Sequence, residues 1–365
     1  MPPFLSRLAA AAVVLLAGLA AARAQEEKVV NVYNWNDYVT EEALKAFTDK
    51  TGIRINYDVY DSNDLLEAKL LAGRSGYDVV FPSATPYFAK QMKAGLYRPL
   101  DRSRIPNAAG IDPDAMARLK VADPQNAFGL PYMMAGTGIG WNVDKVRALL
   151  PDAPTGSLDM IFEPAVVRKL APCGVVVLDA AEEVLSAALA WLGRDPTDTS
   201  TAALDAAAAV VAKVRPHYRY IHSSSYINDL AGGSVCVALG YAGDLVQARS
   251  RAREANAAYA IGVALPKEGA AFNIDVMAIP KDAPHPGNAH LFIDHLLAPA
   301  NIAAVSARIG YANAVTAATP LLPAAVRDDP VIYPPPGFPL YAIPEAPRDF
   351  ERARTRAWTR LKAGR

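Results

Sequence analysis

Histidine and net charge are scarce in this 365-residue sequence, and each shortage excludes a class of protein. The five histidines are scattered without metal-ligand spacing, so we expect no metal site. The 37 basic and 37 acidic residues cancel, so bulk charge attracts neither nucleic acid nor an anionic membrane. Hydrophobic residues still make up 52% of the chain, which is typical of a packed globular protein. We therefore expect no cofactor and a partner that is selected by local chemistry.

An apolar run near the amino terminus, residues 8–22, is the first feature that is present. It follows Arg7 and ends at Ala22-Arg23-Ala24, a small-x-small cleavage pattern, so it is typical of a secretory signal peptide. The alternative, a transmembrane anchor, needs about 20 apolar residues, and this run is shorter. We predict that residues 1–24 are removed on export, which leaves a chain of net charge −2.

Cys173 and Cys236 are the two cysteines of the chain, and export changes what they indicate. In an oxidising compartment such a pair is a candidate disulfide. The bond would close a loop of about 64 residues, for which the chain-entropy estimate is on the order of 4 kcal/mol. Two unpaired buried thiols stay open as the alternative, because the sequence does not give the Cα separation.

Hydrophobic periodicity predicts strands that alternate with helices. With short loops, this order predicts an α/β fold with a mostly parallel sheet that is covered on both faces. A single core is near its upper size limit at this length, so we predict two lobes with a cleft between them. The chain would cross near residues 135 and 257. The predicted lobe 1 comprises residues 25–134 and 258–310, and the predicted lobe 2 comprises residues 135–257 and 311–365.

The predicted elements place polar residues at strand ends. In open α/β sheets, ligands bind at the carboxyl ends of strands, where the loops converge. Asp275 differs, because it enters an apolar strand, where an isolated carboxylate is costly to bury. The residues that follow strands are Trp35, Asn36, Asp37 and Tyr38 after strand 29–33, Ser83 after strand 77–81, Glu183 after strand 174–178, and Tyr241 and Asp244 at the end of strand 235–241.

Acids mixed with aromatic rings are the chemistry that binds an organic cation. A carboxylate forms charge-assisted hydrogen bonds with an ammonium group, and ring faces add cation–π attraction of about 0.5 to 2 kcal/mol each. Acids at both ends of a slot would select a diamine. Each acid also has a structural interpretation, because Asp37 and Glu183 could offset a helix dipole and Asp244 could cap a helix over 245–253. The aromatic residues taken singly are more typical of a core.

Ten strings spread along the chain form an ordered pattern. They are VYNWNDY at 32–38, YDVYDSN at 57–63, YDVVFPS at 77–83, PYM at 131–133, TGIG at 137–140, LDAAEEV at 178–184, HSS at 222–224, YIND at 226–229, IYPP at 332–335 and RTRAWT at 354–359. These strings resemble the periplasmic polyamine-binding proteins of bacterial ABC transporters, and the putrescine-binding branch is the most similar. The resemblance covers essentially the whole mature chain and implies a two-lobed periplasmic binding protein fold of type II. It also implies a disulfide between Cys173 and Cys236.

The same resemblance implies a ligand site. Asp275 would hold one ammonium group, and Asp37, Glu183 and Asp244 would surround the other end, partly through water. Three positions depart from the putrescine pattern, with Asn36 for Ser, Tyr241 for Trp and Asn273 for an aromatic residue. The choice among putrescine, cadaverine, agmatine and spermidine therefore stays open. The implied ligand residues are Trp35, Asn36, Asp37, Tyr38, Ser83, Glu183, Tyr241, Asp244, Asn273, Asp275 and Tyr311.

These features predict a protein that captures a polyamine in the periplasm and delivers it to an ABC transporter permease. We expect it to be a monomer that closes about a hinge, and we do not expect an enzyme. Delivery to a chemosensory partner is an alternative that the sequence does not separate. A secreted hydrolase would use His222 with its neighbouring serines, but adjacent residues rarely give triad geometry, and no G-x-S-x-G elbow occurs. A basic carboxyl-terminal segment, residues 348–365, predicts a docked amphipathic helix with a solvated basic face, and a membrane or permease contact is the alternative.

Overall fold

The computed structural model describes residues 26–364, so the predicted signal peptide and its cleavage site lie outside the described residues. The strands are β1 (Val29–Trp35), β2 (Arg54–Tyr60), β3 (Val79–Val80), β4 (Gly129–Asn142), β5 (Val175–Val177), β6 (Tyr218–Ile221), β7 (Val237–Tyr241), β8 (Ile261–Ala264), β9 (Ala270–Ala278), β10 (Ala312–Asn313) and β11 (Leu340–Tyr341).

The α-helices alternate with these strands through most of the chain. They are α1 (Glu41–Thr51), α2 (Asn63–Leu71), α3 (Ala89–Lys93), α4 (Pro113–Leu119), α5 (Val143–Leu149), α6 (Asp159–Phe162), α7 (Pro164–Leu170), α8 (Ala181–Trp191), α9 (Thr201–Val214), α10 (Ser225–Ala231), α11 (Ala242–Glu254), α12 (Pro286–Leu297), α13 (Pro299–Ile309), α14 (Ala324–Arg327) and α15 (Arg348–Lys362).

Local sequence signals explain where several helices begin and end. The Thr40 side chain accepts a hydrogen bond from the backbone N–H of Ala43, and Ser62 does the same for Leu65, so each caps the start of a helix. Helix α1 ends at Gly52, whose φ of 67° places it in the left-handed region that glycine adopts without strain. These three residues thus set both ends of α1 and the start of α2.

Strand β4 joins two halves of the molecule. Its first part, residues 129–136, pairs antiparallel with β9, and its last part, residues 137–142, pairs antiparallel with β7 and β8. Around the first part lie β1, β2, β3 and β10, and beyond the last part lie β5 and β6. We call the half around β1 lobe 1 and the half around β7 lobe 2.

Each lobe has its own hydrophobic core. In lobe 1, Phe47 of α1 packs edge-to-face on Phe292 of α12 below the sheet, and Leu66 and Phe88 cover the opposite face. The core of lobe 2 contains the strands β5 and β7 and the helices α8 and α9. Helix α15 belongs to this second core through Ala357, Trp358 and Leu361. The two-lobed α/β architecture is therefore as predicted.

The structure differs from the predictions in the direction of the strands. The sheet is mixed rather than mostly parallel, because β4 and β9 run side by side in opposite directions at its centre. The parallel pairs β1–β2 and β1–β3 lie in one lobe, and β5–β6 and β5–β7 lie in the other. Strands β7, β8 and β9 all run beside β4 in the opposite direction, so the pairs at the junction of the lobes are antiparallel.

Two segments also lie in a different lobe from the one that the predicted bounds assign to them. Strand β8, within the predicted 258–310 part of lobe 1, pairs with the last part of β4 and so lies in lobe 2. Residues 311–322, within the predicted 311–365 part of lobe 2, pack into the first core, where β10 pairs with Met133 and Met134 of β4. Strand pairing decides both assignments, and these partners are distant in sequence.

Cys173 and Cys236 form a disulfide, with a Cα separation of 5.4 Å. Val175 of β5 and Val237 of β7 are partners in parallel strands, and each cysteine shortly precedes one of these residues. The disulfide therefore links the starts of two neighbouring strands in lobe 2. Within residues 26–364, no helix is both long enough and apolar enough to cross a membrane.

Candidate functional site

A narrow cavity of about 50 Å³ lies between the lobes, at the ends of β1 and β7. Nine of the eleven residues that the sequence singled out line it, and they come from distant parts of the chain. They are Trp35, Asn36, Tyr38, Ser83, Tyr241, Asp244, Asn273, Asp275 and Tyr311.

Asp275 of β9 contributes a carboxylate to the lobe 1 side of the cavity. The Tyr38 hydroxyl donates to one carboxylate oxygen at 2.6 Å, and the Ser83 hydroxyl donates to the other at 2.7 Å. Ser83 is itself held by Asn63, which donates to its hydroxyl oxygen at 3.1 Å. Removal from water raises the pKa of Asp275 to about 6, although both hydroxyl hydrogen bonds act to lower it.

Asp244 contributes a second carboxylate from the first turn of α11 in lobe 2. The hydroxyls of Tyr226 and Tyr311 donate to its two oxygens at 2.6 and 2.7 Å. Burial raises the pKa of this carboxyl to about 6 as well. The Tyr311 ring meets the Tyr38 ring edge-to-face, with centroids 4.8 Å apart. Tyr38, which donates to Asp275, is thus in contact with Tyr311, which donates to Asp244.

Neither carboxylate is paired with a cation. Within residues 26–364, no Lys, Arg or His nitrogen lies within 4.0 Å of an oxygen of Asp244 or Asp275. The cavity lining includes a third acid, Asp61, and no basic residue. A buried carboxylate without a counter-ion is costly, so this cavity is built to receive positive charge.

Aromatic rings form the walls between the acids. The Trp35 indole N–H and the Tyr60 hydroxyl both donate to the backbone carbonyl of Phe81, at 2.7 Å each, which fixes the two rings beside one another. Tyr241 approaches Trp35 from the other lobe, with ring centroids 6.5 Å apart. Fixed rings on both sides suit a slender methylene chain and add cation–π attraction at its ends.

Glu183 does not line the cavity but lies behind it, near the start of α8 and 3% exposed. The Thr137 hydroxyl donates to one of its oxygens at 2.5 Å, and the side-chain amide of Asn273 donates to the other at 2.6 Å. Burial raises the pKa of Glu183 to about 7. The Asn273 carbonyl oxygen is buried without a hydrogen-bond partner in the described chain. Asn273 therefore links Glu183 to the cavity wall.

Asp37 also stands outside the cavity lining, although its neighbours Asn36 and Tyr38 belong to it. Its backbone is left-handed, with φ of 55°, and its carboxylate forms a salt bridge of 3.1 Å with Arg251 of α11. Both side chains are partly exposed, so the pair bridges the lobes near solvent. Sequence position alone did not separate Asp37 from the acids that enter the cavity.

The structure adds residues that the sequence had not singled out as ligand positions. Tyr226 stands behind Asp244 and also accepts a hydrogen bond from the backbone N–H of Tyr241, so it positions two cavity residues at once. Other additions to the lining are Tyr60, Asp61, Ala135, Ser223, Ser224 and Ile227. Their positions in the sequence were the available signal, because Tyr60 ends β2, Asp61 directly follows it, and the two serines follow β6.

The arrangement of His222 bears on the hydrolase alternative. Its Nδ1 accepts hydrogen bonds from the backbone N–H groups of Ser224 and Ser225, at 3.1 and 3.2 Å. An imidazole nitrogen used in this way caps the start of α10, and the Ser225 hydroxyl at 3.2 Å shares the same nitrogen. The neighbouring residues thus form a local turn.

Two lobes joined by crossing strands, with an acidic and aromatic cavity between them, define a solute-binding protein. The chain belongs to the bacterial extracellular solute-binding protein family, whose model matches residues 42–333. It is 47% identical to the putrescine-binding periplasmic protein SpuD of Pseudomonas aeruginosa, over 96% of each chain. It is 45% identical to the putrescine-binding periplasmic protein PotF of Escherichia coli, over 94% of this chain and 93% of that one.

A solved structure shares the fold. It is the spermidine/putrescine ABC transporter substrate-binding protein PotD of Streptococcus pneumoniae, with a TM-score of 0.74 at 24% identity. The superposition covers 93% of this chain and 99% of that one. The two relatives are periplasmic binding proteins by name, and the prediction of a periplasmic solute-binding protein is confirmed.

Proposed function

We propose that this protein captures a diamine, with putrescine as the first candidate, and delivers it to an ABC transporter permease. The observation that carries the proposal is the pair Asp244 and Asp275, two largely buried carboxylates on opposite lobes of one cavity that has no basic residue in its lining. A dication would pair with one carboxylate of each lobe. The names of the similar proteins support the same ligand class.

Hinge closure follows from this placement. Asp275 and its partners Tyr38 and Ser83 belong to lobe 1, whereas Asp244 belongs to lobe 2. A ligand with two ammonium groups gains its full interaction only when both lobes face it, so it stabilises the closed form over the open one. No covalent step is part of this function, so the protein would not act as an enzyme. A single chain contains the whole site, so it would act as a monomer.

The identity of the polyamine depends on the wall at Asn273. Its unpartnered carbonyl oxygen offers an additional acceptor, which the secondary amine of spermidine or the guanidinium group of agmatine could use beside the terminal ammonium groups. Spermidine and agmatine are therefore the specific alternatives to putrescine. Delivery to a chemosensory partner would use the same closed form.

Calorimetric titration of the mature protein tests the proposal. The protein is unfolded and refolded to remove bound ligand, and is then titrated with putrescine, cadaverine, agmatine and spermidine in parallel. We expect at least one of them to bind tightly with one site per chain. If none binds to a refolded protein whose circular dichroism is native, the cavity takes a different class of solute.

The raised pKa values make ligand binding depend on pH in a definite direction. The carboxyls of Asp244 and Asp275 have pKa values of about 6, and a dication pairs only with their ionised forms. We therefore expect binding at pH 6 to release protons, and the affinity to weaken as the pH falls below 6. Titration in two buffers of different ionisation enthalpy measures this release. The same experiment at pH 8 is the control, since the carboxyls are then already ionised.

The ligand-free protein is expected to respond to pH in the opposite sense. An unfolded Asp has a pKa of about 3.9, so the folded protein holds these protons more tightly. The stability that they contribute is present below pH 4 and is lost as the pH rises through about 6. Uptake of protons on ligand binding, instead of their release, would contradict raised pKa values for the two carboxyls.

A further inference from the structure

Helix α15 carries a row of arginines that the proposed ligand site does not use. Arg348, Arg352, Arg356 and Arg360 recur at every fourth residue and are all exposed, so they form one ridge along the helix. In the described chain, Arg348, Arg356 and Arg360 make no salt bridge, and Arg352 reaches only Asp349, at 4.0 Å. The ridge therefore presents unneutralised charge to solvent.

The opposite face of α15 is fixed to lobe 2, so the ridge is held rigidly. Trp358 is buried, and its indole N–H donates to the Asp179 carboxylate at 2.7 Å. Arg215 donates to the backbone carbonyls of Leu361 and Lys362, which caps the end of the helix. The predicted docked helix with a solvated basic face is thus what the structure shows.

Part of the ridge forms one wall of a surface groove between the lobes. The groove has a volume of about 880 Å³, and we call it the arginine groove. Arg348, Arg352 and Arg356 line it from lobe 2, and α2 and α3 line it from lobe 1, where Leu71 is 59% exposed.

Ion pairs connect the two walls of the arginine groove. Lys93 of α3 pairs with Glu345, which precedes α15. Lys90 of α3 pairs with Glu67 at 2.7 Å in its own lobe and lies 3.7 Å from Glu351 of α15. The groove lining holds five basic residues and three acids, and these pairs use two of the acids to neutralise the lysines, so a net positive charge remains on the arginine side. Because its walls belong to different lobes, the groove has this shape only when the lobes are close together.

We propose that the arginine groove is the docking surface for an acidic segment of the permease, and this rests on the proposed function of delivery to a transporter. Guanidinium groups bind carboxylates in a bidentate geometry, so unpaired arginines in a groove fit Asp and Glu side chains. A concave surface with an exposed leucine suits a protein segment better than a flat lipid surface. Docking there would report closure, since both lobes contribute to the groove.

The test uses a triple variant, Arg348→Glu, Arg352→Glu and Arg356→Glu, in the full-length protein. The matched control is Arg147→Glu, Arg168→Glu and Arg194→Glu, which reverses three exposed charges elsewhere on lobe 2. Each gene replaces the native copy in cells that keep their own transporter. Uptake of radiolabelled putrescine is measured, and putrescine affinity and melting temperature are measured on the purified proteins.

We expect the triple variant to bind putrescine within about twofold of the unchanged protein, because the groove is separate from the cavity. Its uptake rate should fall by at least about tenfold, whereas the control variant should retain uptake. Unchanged uptake by the triple variant, at equal export, overturns the proposal. If the unchanged protein binds another of the four polyamines instead of putrescine, the same comparison is made with that polyamine. If it binds and imports none of them, the proposed function has failed, and the docking proposal falls with it.

A second measurement addresses a lipid partner. The unchanged protein and the triple variant are sedimented with vesicles of phosphatidylglycerol and of phosphatidylcholine. We expect no difference between the two proteins. If the unchanged protein binds the phosphatidylglycerol vesicles and the triple variant does not, the arginines contact the membrane surface, and the proposal is overturned.

Discussion

Replacing Asp275 with asparagine is expected to weaken putrescine binding by about 100-fold or more, the largest effect of any single change in the cavity. The carboxylate is oriented by Tyr38 and Ser83, so its charge meets an ammonium group without further rearrangement. Removing one partner of a buried, hydrogen-bonded charge pair costs about 2 to 5 kcal/mol. Asparagine keeps the size of the side chain and an acceptor for one hydroxyl, so the lost charge dominates the effect.

Asp205→Asn is the matched control, because it makes the same chemical change at an exposed position of α9. Calorimetry should give an affinity within about twofold of the unchanged protein. The melting temperature of ligand-free Asp275→Asn should not fall, since the change removes a buried charge that has no counter-ion. Equal losses of affinity in the two variants would mean that Asp275 does not contact the ligand.

Removing the disulfide is expected to give the largest loss of stability. The bond joins cysteines 63 positions apart in sequence, and a loop of this length corresponds to about 4 kcal/mol of unfolded-state entropy. For a chain of this size, we expect the melting temperature of Cys173→Ala with Cys236→Ala to fall by roughly 6 °C. Replacing both residues avoids a free thiol. Differential scanning calorimetry under non-reducing conditions measures the shift.

Ligand binding should survive the loss of the disulfide. The bond lies before β5 and β7, whereas the cavity residues Tyr241 and Asp244 lie at and beyond the opposite end of β7. Putrescine affinity at 25 °C should therefore stay within about twofold. The unchanged protein in a reducing buffer is the control, and its melting temperature should fall by a similar amount. An unchanged melting temperature in the double variant would contradict the stabilising role.

The difference between Asp37 and Asp244 shows where inference from sequence ends. Both acids follow a strand, and the sequence treats them alike. In the folded protein, Asp244 lines the cavity and accepts hydrogen bonds from two tyrosine hydroxyls, whereas Asp37 pairs with Arg251 outside the cavity. Arg251 is distant in sequence, so no local pattern could have revealed the pair.

The behaviour of Asn273 makes the same point for a wall residue. As a departure from the family pattern, it predicts only a missing ring and a wider or wetter slot. The structure shows its amide donating to Glu183, which lies behind the wall. The sequence thus indicated a lost ring at Asn273, whereas the structure shows a hydrogen bond from Asn273 to Glu183 of α8.

What the sequence by itself determined about this protein is local or compositional. Strand and helix periodicity predicted the α/β class, the apolar amino-terminal run predicted export, and the pattern of acids and aromatic residues predicted a cation site. Only the tertiary structure decided the lobe that holds each returning segment, the acids that enter the cavity, and the groove that α15 forms with lobe 1. Those features depend on contacts between residues far apart in sequence, and their energies appear only when the strands pair and the lobes face each other.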